Sequence, residues 1–343
     1  MAELHLHRAG PLTTIQDGGR RGFQHQGVSG VGPMDRWAHV VANRLVGNPD
    51  GAGGLELALG GLELEVTGGA VRLAFAGGDF ALKLDDRPVS WWSTSTLRPG
   101  QKLTIGRAIE GAWGYVAVLG GLAIPPALGS QSTHQLSGLG GIDGRRLHDG
   151  AVLPLVMDEV PPRPDLALER PPAIHAERIR VVLGPQDDYF TAAGIETLLG
   201  AEWRVSGQTD RMGYRLVGPC IEHAKTANIV SDGILMGSIQ VPGMGTPIVL
   251  MADRQTTGGY PKIATVISAD MGYLAQTRSG EALRFEAIEF GAALATRRQR
   301  WRQLERSMAS LAPLGPAART SSERLLGLNL IGGVTAGEHR EDG

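Results

Sequence analysis

Apolar residues along this chain come in short runs closed by glycine or proline. Residues 238–241 and 246–250 are two such runs flanking Pro242-Gly243-Met244-Gly245, a pattern that predicts two β segments joined by a tight turn. Residues 263–267 form another, reached through a polar stretch from Asp253 to Lys262, so a loop crowded with polar groups is expected between two strands. The most apolar stretch, residues 112–128, is broken by Gly114, Gly120, Gly121, Pro125 and Pro126 and reads as a buried strand and turn, too short for a bilayer span. Only after Gly291 does the period change. Trp301, Leu304, Met308 and Leu311 recur at spacings of three and four among Arg and Gln, which predicts an amphipathic helix packed by default on its own core.

Composition sharpens this picture. The 50 glycines in 343 residues are about twice the ordinary frequency of roughly 7%, in keeping with a mainly β chain rich in turns. Five prolines, at positions 161, 162, 164, 171 and 172, mark residues 158–177 as an extended linker or surface crossing between a domain at 1–157 and a second at 178–290, followed by a helix and loose tail at 291–343. The 33 basic and 35 acidic residues are interleaved at a net charge of −2, leaving no electrostatic footprint for nucleic acid. One cysteine and a start without an apolar export segment make the cytoplasm the expected location.

Three short matches recur in the same order. Gly10-Pro11 matches Gly184-Pro185, Val28-Ser29-Gly30 matches Val205-Ser206-Gly207, and Arg98-x-Gly-x-x-Leu103 matches Arg278-x-Gly-x-x-Leu283, at offsets of 174, 177 and 180. Collinear offsets point to a duplicated domain. Two similar halves would meet in a cleft, a preferred place for ligands.

The leading candidate chemistry lies in the polar loop. Arg254 and Lys262 are suited to hold an anion, Asp253 to accept a proton or orient Arg254, and Gly258-Gly259 to let backbone N–H groups approach a ligand; a plain loop-fixing Asp253–Arg254 ion pair is the competing reading. Ser206, Gln208, Asp210, Arg211 and Arg215 place a hydroxyl, an amide, a carboxylate and two guanidinium groups within ten residues, either as a ligand wall or as turn and cap chemistry. Gln16-Asp17 before Gly18-Gly19 is similarly ambiguous, and residues 129–134 with Arg145 and Arg146 form either an anion nest or a surface turn. His5 and His7 lack further ligands for a metal, and Cys220 reads as packed core. No phosphate-binding G-x-x-x-x-G-K-[ST], H-E-x-x-H, G-x-S-x-G or dinucleotide glycine motif occurs, so any ATP would occupy a nonstandard pocket.

Gly32-Pro33-Met34-Asp35, residues 42–48 (Ala-Asn-Arg-Leu-Val-Gly-Asn), Gly184-Pro185-Gln186, residues 210–216, Gln240-Val241-Pro242 and residues 253–261 carry a likeness over residues 3 to 290. The chain resembles the biotin-dependent carboxyltransferase-like family, which includes allophanate hydrolase subunit 2, the C subunit of 5-oxoprolinase, an antagonist of a sporulation-kinase inhibitor and the carboxyltransferase region of urea carboxylase. The resemblance implies two cyclophilin-like β-barrels in tandem, agreeing with the duplication. It also implies a smaller partner of the allophanate hydrolase subunit 1 type, a sugar-lactamase-like third subunit, and ATP-dependent opening of 5-oxoproline to glutamate, with ATP and Mg shared with a partner.

On that reading Arg254 and Lys262 hold phosphate or carboxylate, Gln255, Gln240, Ser206 and Tyr260 contact substrate, Asp210 and Arg211 form the opposing wall, and Thr256, Thr257, Gly258 and Gly259 approach the nucleotide. Two departures stand out. Gln131 replaces the arginine of a Gly-Ser-Arg-Ser-Thr segment seen in many relatives, with His134 just after it, which weighs against that loop as a carboxylate holder. The absence of any Met-Lys pair means that biotin is not expected on this chain and would need a carrier in trans. A regulatory binding protein without chemistry, and a carboxyltransferase using such a carrier, are the alternatives.

Overall fold

Two barrel-like sheets account for most of the molecule, and the computed structural model describes residues 1–314. The first contains nine strands, organised around the strand Lys102–Val118, which pairs with Gly54–Ala58, Gly60–Thr67 and Val71–Leu84. Alternation explains the inner face. In Gly60–Thr67, Leu62, Leu64 and Val66 are buried while Glu63 and Glu65 between them are only half-buried. Register shifts near Gly77, Asp79 and Phe80 let the two longest strands bend around the core. Helix α1 (Arg36–Val46) closes this half; Asp35 caps it by accepting from the N–H groups of Trp37 and Ala38 at 3.0 and 3.1 Å.

The second sheet has eight strands, in the order Ala282–Leu283, Trp203–Thr209, Gly213–Val217, Ile248–Leu250, Ser238–Gln240, Lys262–Val266, Ile179–Leu183, Phe285–Ala287. The expected hairpin is present, with Ile239 opposite Val249 and Gln240 opposite Ile248. Helix α2 (Ala192–Gly200) packs at its margin and α3 (Met271–Gln276) lies between the halves.

The duplication has a structural signature. Gly10-Pro11 follows strand Glu3–Arg8, as Gly184-Pro185 follows Ile179–Leu183. The third match is closer still: the N–H groups of Arg98 and Arg278 each donate to the side chain three residues on, Gln101 or Glu281, and Gly100 and Gly280 both take a left-handed φ, 84° and 87°. Gly100 donates to Val66 O and Gly280 to Val205 O, which makes Val66 the counterpart of Val205. The second match is thereby corrected: Val28-Ser29-Gly30 lies in irregular backbone whereas Val205-Ser206-Gly207 lies in a strand, and the glycine-rich composition explains the coincidence.

Residues 158–177 do not cross open space. Asp165 accepts from the Thr96 N–H and hydroxyl at 3.1 and 2.8 Å, and Leu166–Leu168 pairs with Leu311–Pro313. Helix α4 (Phe290–Met308) seats Trp301 edge-on against Trp37 of α1, 4.8 Å between ring centroids, and buries Leu304. Leu311, expected on this helix, belongs instead to that short strand because the helix has already ended. Cys220 is also corrected: it is exposed, at a turn beside Gly245. The end of the expected tail, residues 315–343, lies outside the described residues, among which no helix is long and apolar enough to cross a membrane.

Candidate functional site

The polar residues read from the sequence separate into three groups. One is an ion network at the junction of the halves. Arg211 makes a two-pronged bond with Asp253, Nε to Oδ2 at 3.0 Å and Nη2 to Oδ1 at 2.7 Å, pairs with Glu56 of the first half, and donates to Gly32 O at 2.8 Å. Glu56 also accepts from the Met34 N–H and the Tyr115 hydroxyl, both at 2.8 Å. Burial works against the Arg211 guanidinium, but Asp253 and Glu56 outweigh it and hold it above its ordinary value. Asp253 therefore orients Arg211, not Arg254.

A second group stiffens the loop. Arg254 is buried and donates to the carbonyls of Ile234 and Met251 at 3.3 and 3.5 Å; burial pushes its guanidinium down, opposed by Asp253. Lys262 is buried and pairs with Asp232 at 2.7 Å. Thr257–Gly258 forms a two-stranded ribbon with Asp232–Gly233, and the carbonyls of Thr256 and Gly259 accept from Ile234 and Ile229. Gly258 has a packing role, since a Cβ there would lie 2.5 Å from Gln240 Nε2. Ser206 accepts from the Gln208 N–H at 2.9 Å within its strand.

The third group surrounds a cavity of about 260 Å³ on the second barrel, lined by Gln208, Asp210, Arg215, Gln240, Gln255 and Tyr260 over a floor including Ile248 and Leu250. Pairing explains the convergence. Tyr214, Val249 and Ile239 face one side of three adjacent strands, so Arg215, Ile248 and Gln240 share the other. Gln240 is 3% exposed, and its Nε2, enclosed against Gly258, has no hydrogen-bond partner among the described residues. Arg215 is exposed and has no ion-pair or hydrogen-bond partner among the described residues. Asp210 uses Oδ1 for the N–H groups of Met212 and Gly213, at 2.8 and 3.2 Å.

Asp210 and Met212 also border a second cavity of about 390 Å³ at the junction of the halves, lined by His134, Leu136, Arg211 and Asp253. His134 is buried, Nδ1 lies 2.8 Å from the Ser137 hydroxyl, and Nε2 has no hydrogen-bond partner among the described residues; burial lowers its affinity for a proton, opposed by Asp253. The loop before it is structural. Ser130 and Ser132 donate to Asp17 at 2.7 Å, the Gln131 N–H does so at 2.6 Å, and the Gln131 side chain donates to the carbonyls of Leu122 and Ile124.

Thus four of the residues read as substrate-contacting or opposing wall, Gln240, Gln255, Asp210 and Tyr260, converge on one cavity, while Arg211, Asp253, Arg254 and Lys262 are engaged by protein partners. The sequence reading held Arg215 only as part of a wall or turn and His134 only within the 129–134 nest or turn, without giving either a contact of its own. Strand alternation around Tyr214 and Leu216 was the signal for Arg215; His134 offered none.

The sequence profile of the carboxyltransferase domain, subdomains A and B, matches residues 26–287. Two bacterial proteins, each named as the C subunit of 5-oxoprolinase, are similar: that of Escherichia coli K12 is 40% identical over 88% of this chain and 96% of its own length, and that of Haemophilus influenzae 38% identical over 83% and 91%. The crystal structure of Kluyveromyces lactis urea carboxylase superposes with a TM-score of 0.82 at 26% identity, covering 94% of this chain and 30% of that one. Sequence and architecture agree, and the chain belongs to the biotin-dependent carboxyltransferase-like family, as a copy of its subdomains A and B.

Proposed function

We propose that this chain is the lactam-recognising subunit of an ATP-dependent 5-oxoprolinase, which opens 5-oxo-L-proline to L-glutamate together with a smaller subunit of the allophanate hydrolase subunit 1 type and a sugar-lactamase-like third subunit. The names of the two bacterial relatives support the reaction. The observation that carries the role is one cavity lined both by Gln240, whose amide lacks a partner, and by Arg215, whose guanidinium is unpaired among the described residues.

The substrate has a carboxylate, a lactam carbonyl and a lactam N–H. Arg215 supplies the charge complement to the carboxylate, the Gln240 carboxamide turns an N–H to the carbonyl oxygen, and Asp210 accepts from the lactam N–H. The cavity, about 260 Å³, falls just below the roughly 300–1,000 Å³ range of drug-sized ligand sites, a size for a small metabolite.

Thr256 to Gly259 do not fit a phosphate cradle, because the ribbon with Asp232–Gly233 and the packing of Gly258 on Gln240 occupy that backbone. No step is assigned to nucleotide on this chain, and ATP with its Mg belongs in this reading with the partner subunits. The likeness to urea carboxylase favours a second reading, a carboxyltransferase whose biotin is carried in trans.

The test is glutamate release from 5-oxoproline and ATP by the chain alone, with the small partner, and with both partners. Activity is expected only in the full mixture, with Arg215→Ala raising KM at least tenfold, about 1.4 kcal/mol. Gln240→Met is expected to lower kcat/KM at least tenfold while leaving stability unchanged or higher, since it removes a buried amide that lacks a partner. Activity unaffected by both substitutions overturns this site. No glutamate in any mixture, with turnover stimulated by biotin and bicarbonate, supports the second reading; partner binding without any turnover supports a regulatory protein.

A further inference from the structure

On the side of the molecule bearing α1 and α4, an apolar groove of about 670 Å³ runs between the two halves. Its walls include Met34 and Trp37 from the first half, Val266 and Met271 from the second, and Phe290 and Leu294 from α4. Three large apolar side chains stand open to solvent at this groove: Phe290 is 66% exposed, Leu235 64% and Leu294 41%. Apolar side chains clustered in this way mark interaction surfaces, whereas scattered ones carry no message.

The rim is cationic. Arg36 and Arg297 line the groove, and no carboxylate lies within 4.0 Å of either guanidinium among the described residues. Burial is the largest influence against the Arg36 charge, Arg21 and Arg297 add to it, and the one opposing carboxylate, Asp50, is itself paired with Arg44.

We infer that this groove is where the smaller subunit of the assembly docks, through an amphipathic segment that sets large apolar side chains on Phe290 and Leu294 and acidic ones on Arg36 and Arg297. The inference rests on the subunit role proposed above. A protein segment is favoured over a small anion because Phe290 and Leu235 project from the rim and stay wet around a ligand confined to the cavity. Desolvated anchors beside a charged rim also give the usual division of labour, apolar contacts for affinity and arginines for register.

The experiment measures binding of the full chain to the small allophanate hydrolase subunit 1-type partner by titration calorimetry, in wild type, Leu294→Asp, Arg297→Glu, Arg297→Lys and the control Ile109→Asp. Ile109 is 64% exposed on the first barrel, away from the groove lining. Expected are at least tenfold weaker binding for Leu294→Asp and Arg297→Glu, near wild-type binding for Arg297→Lys and Ile109→Asp, and weakening of the wild-type complex by salt. These positions are exposed, so unfolding curves superimposable with wild type are expected. A complex of unchanged affinity in Leu294→Asp and Arg297→Glu places the interface elsewhere and overturns the groove while leaving the subunit role intact. Absence of any wild-type complex overturns both. Micromolar binding of decanoate to the chain alone, lost in Leu294→Asp with the protein complex unaffected, makes the groove a small-anion site and overturns the docking assignment.

Discussion

Arg211 and Arg215 lie four residues apart and have opposite fates. Arg211 precedes its strand, and the turn held by Asp210 directs it to Asp253 and Glu56, its Glu56 partner lying 155 residues away in sequence. Arg215 sits inside the strand and points away from the Tyr214 and Leu216 core. A buried ion pair that loses one member leaves uncompensated charge in a medium that cannot solvate it. Arg211→Met is therefore expected to destabilise the chain by about 3–5 kcal/mol in denaturant titration, with Arg215→Ala within about 0.5 kcal/mol of wild type. Equal and small effects would show that Glu56 and Asp253 find other partners. Gln240 was legible as a candidate because its type and neighbourhood suited a ligand; that its amide lacks a partner became visible only once Gly258 was seen packed against it.

Among the elements, α1 is the best specified locally and the most demanding in its docking. Asp35 starts it and Gly47, at φ 88°, ends it, both readable as cap residues. His39, on its buried face, lies edge-on to Tyr115 with ring centroids 5.9 Å apart, and burial holds its pKa down at about 4. The folded chain therefore keeps this imidazole neutral, while the unfolded chain protonates it near its ordinary value of 6.5. Stability present above pH 6.5 is lost as pH falls toward 4, by about 3 kcal/mol across the window for this group. His39→Gln is expected to flatten the pH dependence of unfolding between those limits, and an unchanged slope would assign the effect to other groups. The amphipathic period of α4 was likewise legible, but its contact with Trp37 needed the fold to bring residues 37 and 301 together.

At the scale of the molecule, the halves are joined by hydrogen bonds as well as by apolar contact. Gln276 of α3 accepts from the N–H groups of Ala112 and Trp113 at 2.9 and 3.0 Å and donates to Asp35 Oδ2 at 2.9 Å and to Trp113 O at 3.0 Å. Trp113 Nε1 donates to the Tyr214 hydroxyl at 2.9 Å, which in turn donates to Ala275 O at 2.9 Å. Gln276→Ala strands buried donors and acceptors in the first half, each costing about 1–3 kcal/mol when left unmade. The expected result is a loss of about 3 kcal/mol in equilibrium unfolding; a loss below about 1 kcal/mol would mean that the halves hold together without this link.

What the sequence determined by itself is what depends on neighbours along the chain: the β class, the hairpin around Pro242–Gly245, the amphipathic helix after Gly291, and the doubling of the domain, whose third match preserves even its turn hydrogen bonds. Local chemistry selects backbone conformation, and a repeated local pattern survives duplication. What only the tertiary structure decided is which polar groups are already satisfied. Asp253 with Arg211, Lys262 with Asp232 and the Arg254 carbonyl bonds consume groups that the sequence presents as free. The Gln240 amide, the Arg215 guanidinium and His134 Nε2 are left without a hydrogen-bond partner among the described residues. The physical reason is that a side chain's availability is set by burial and by acceptors contributed from distant segments, and neither is a property of its neighbours in sequence.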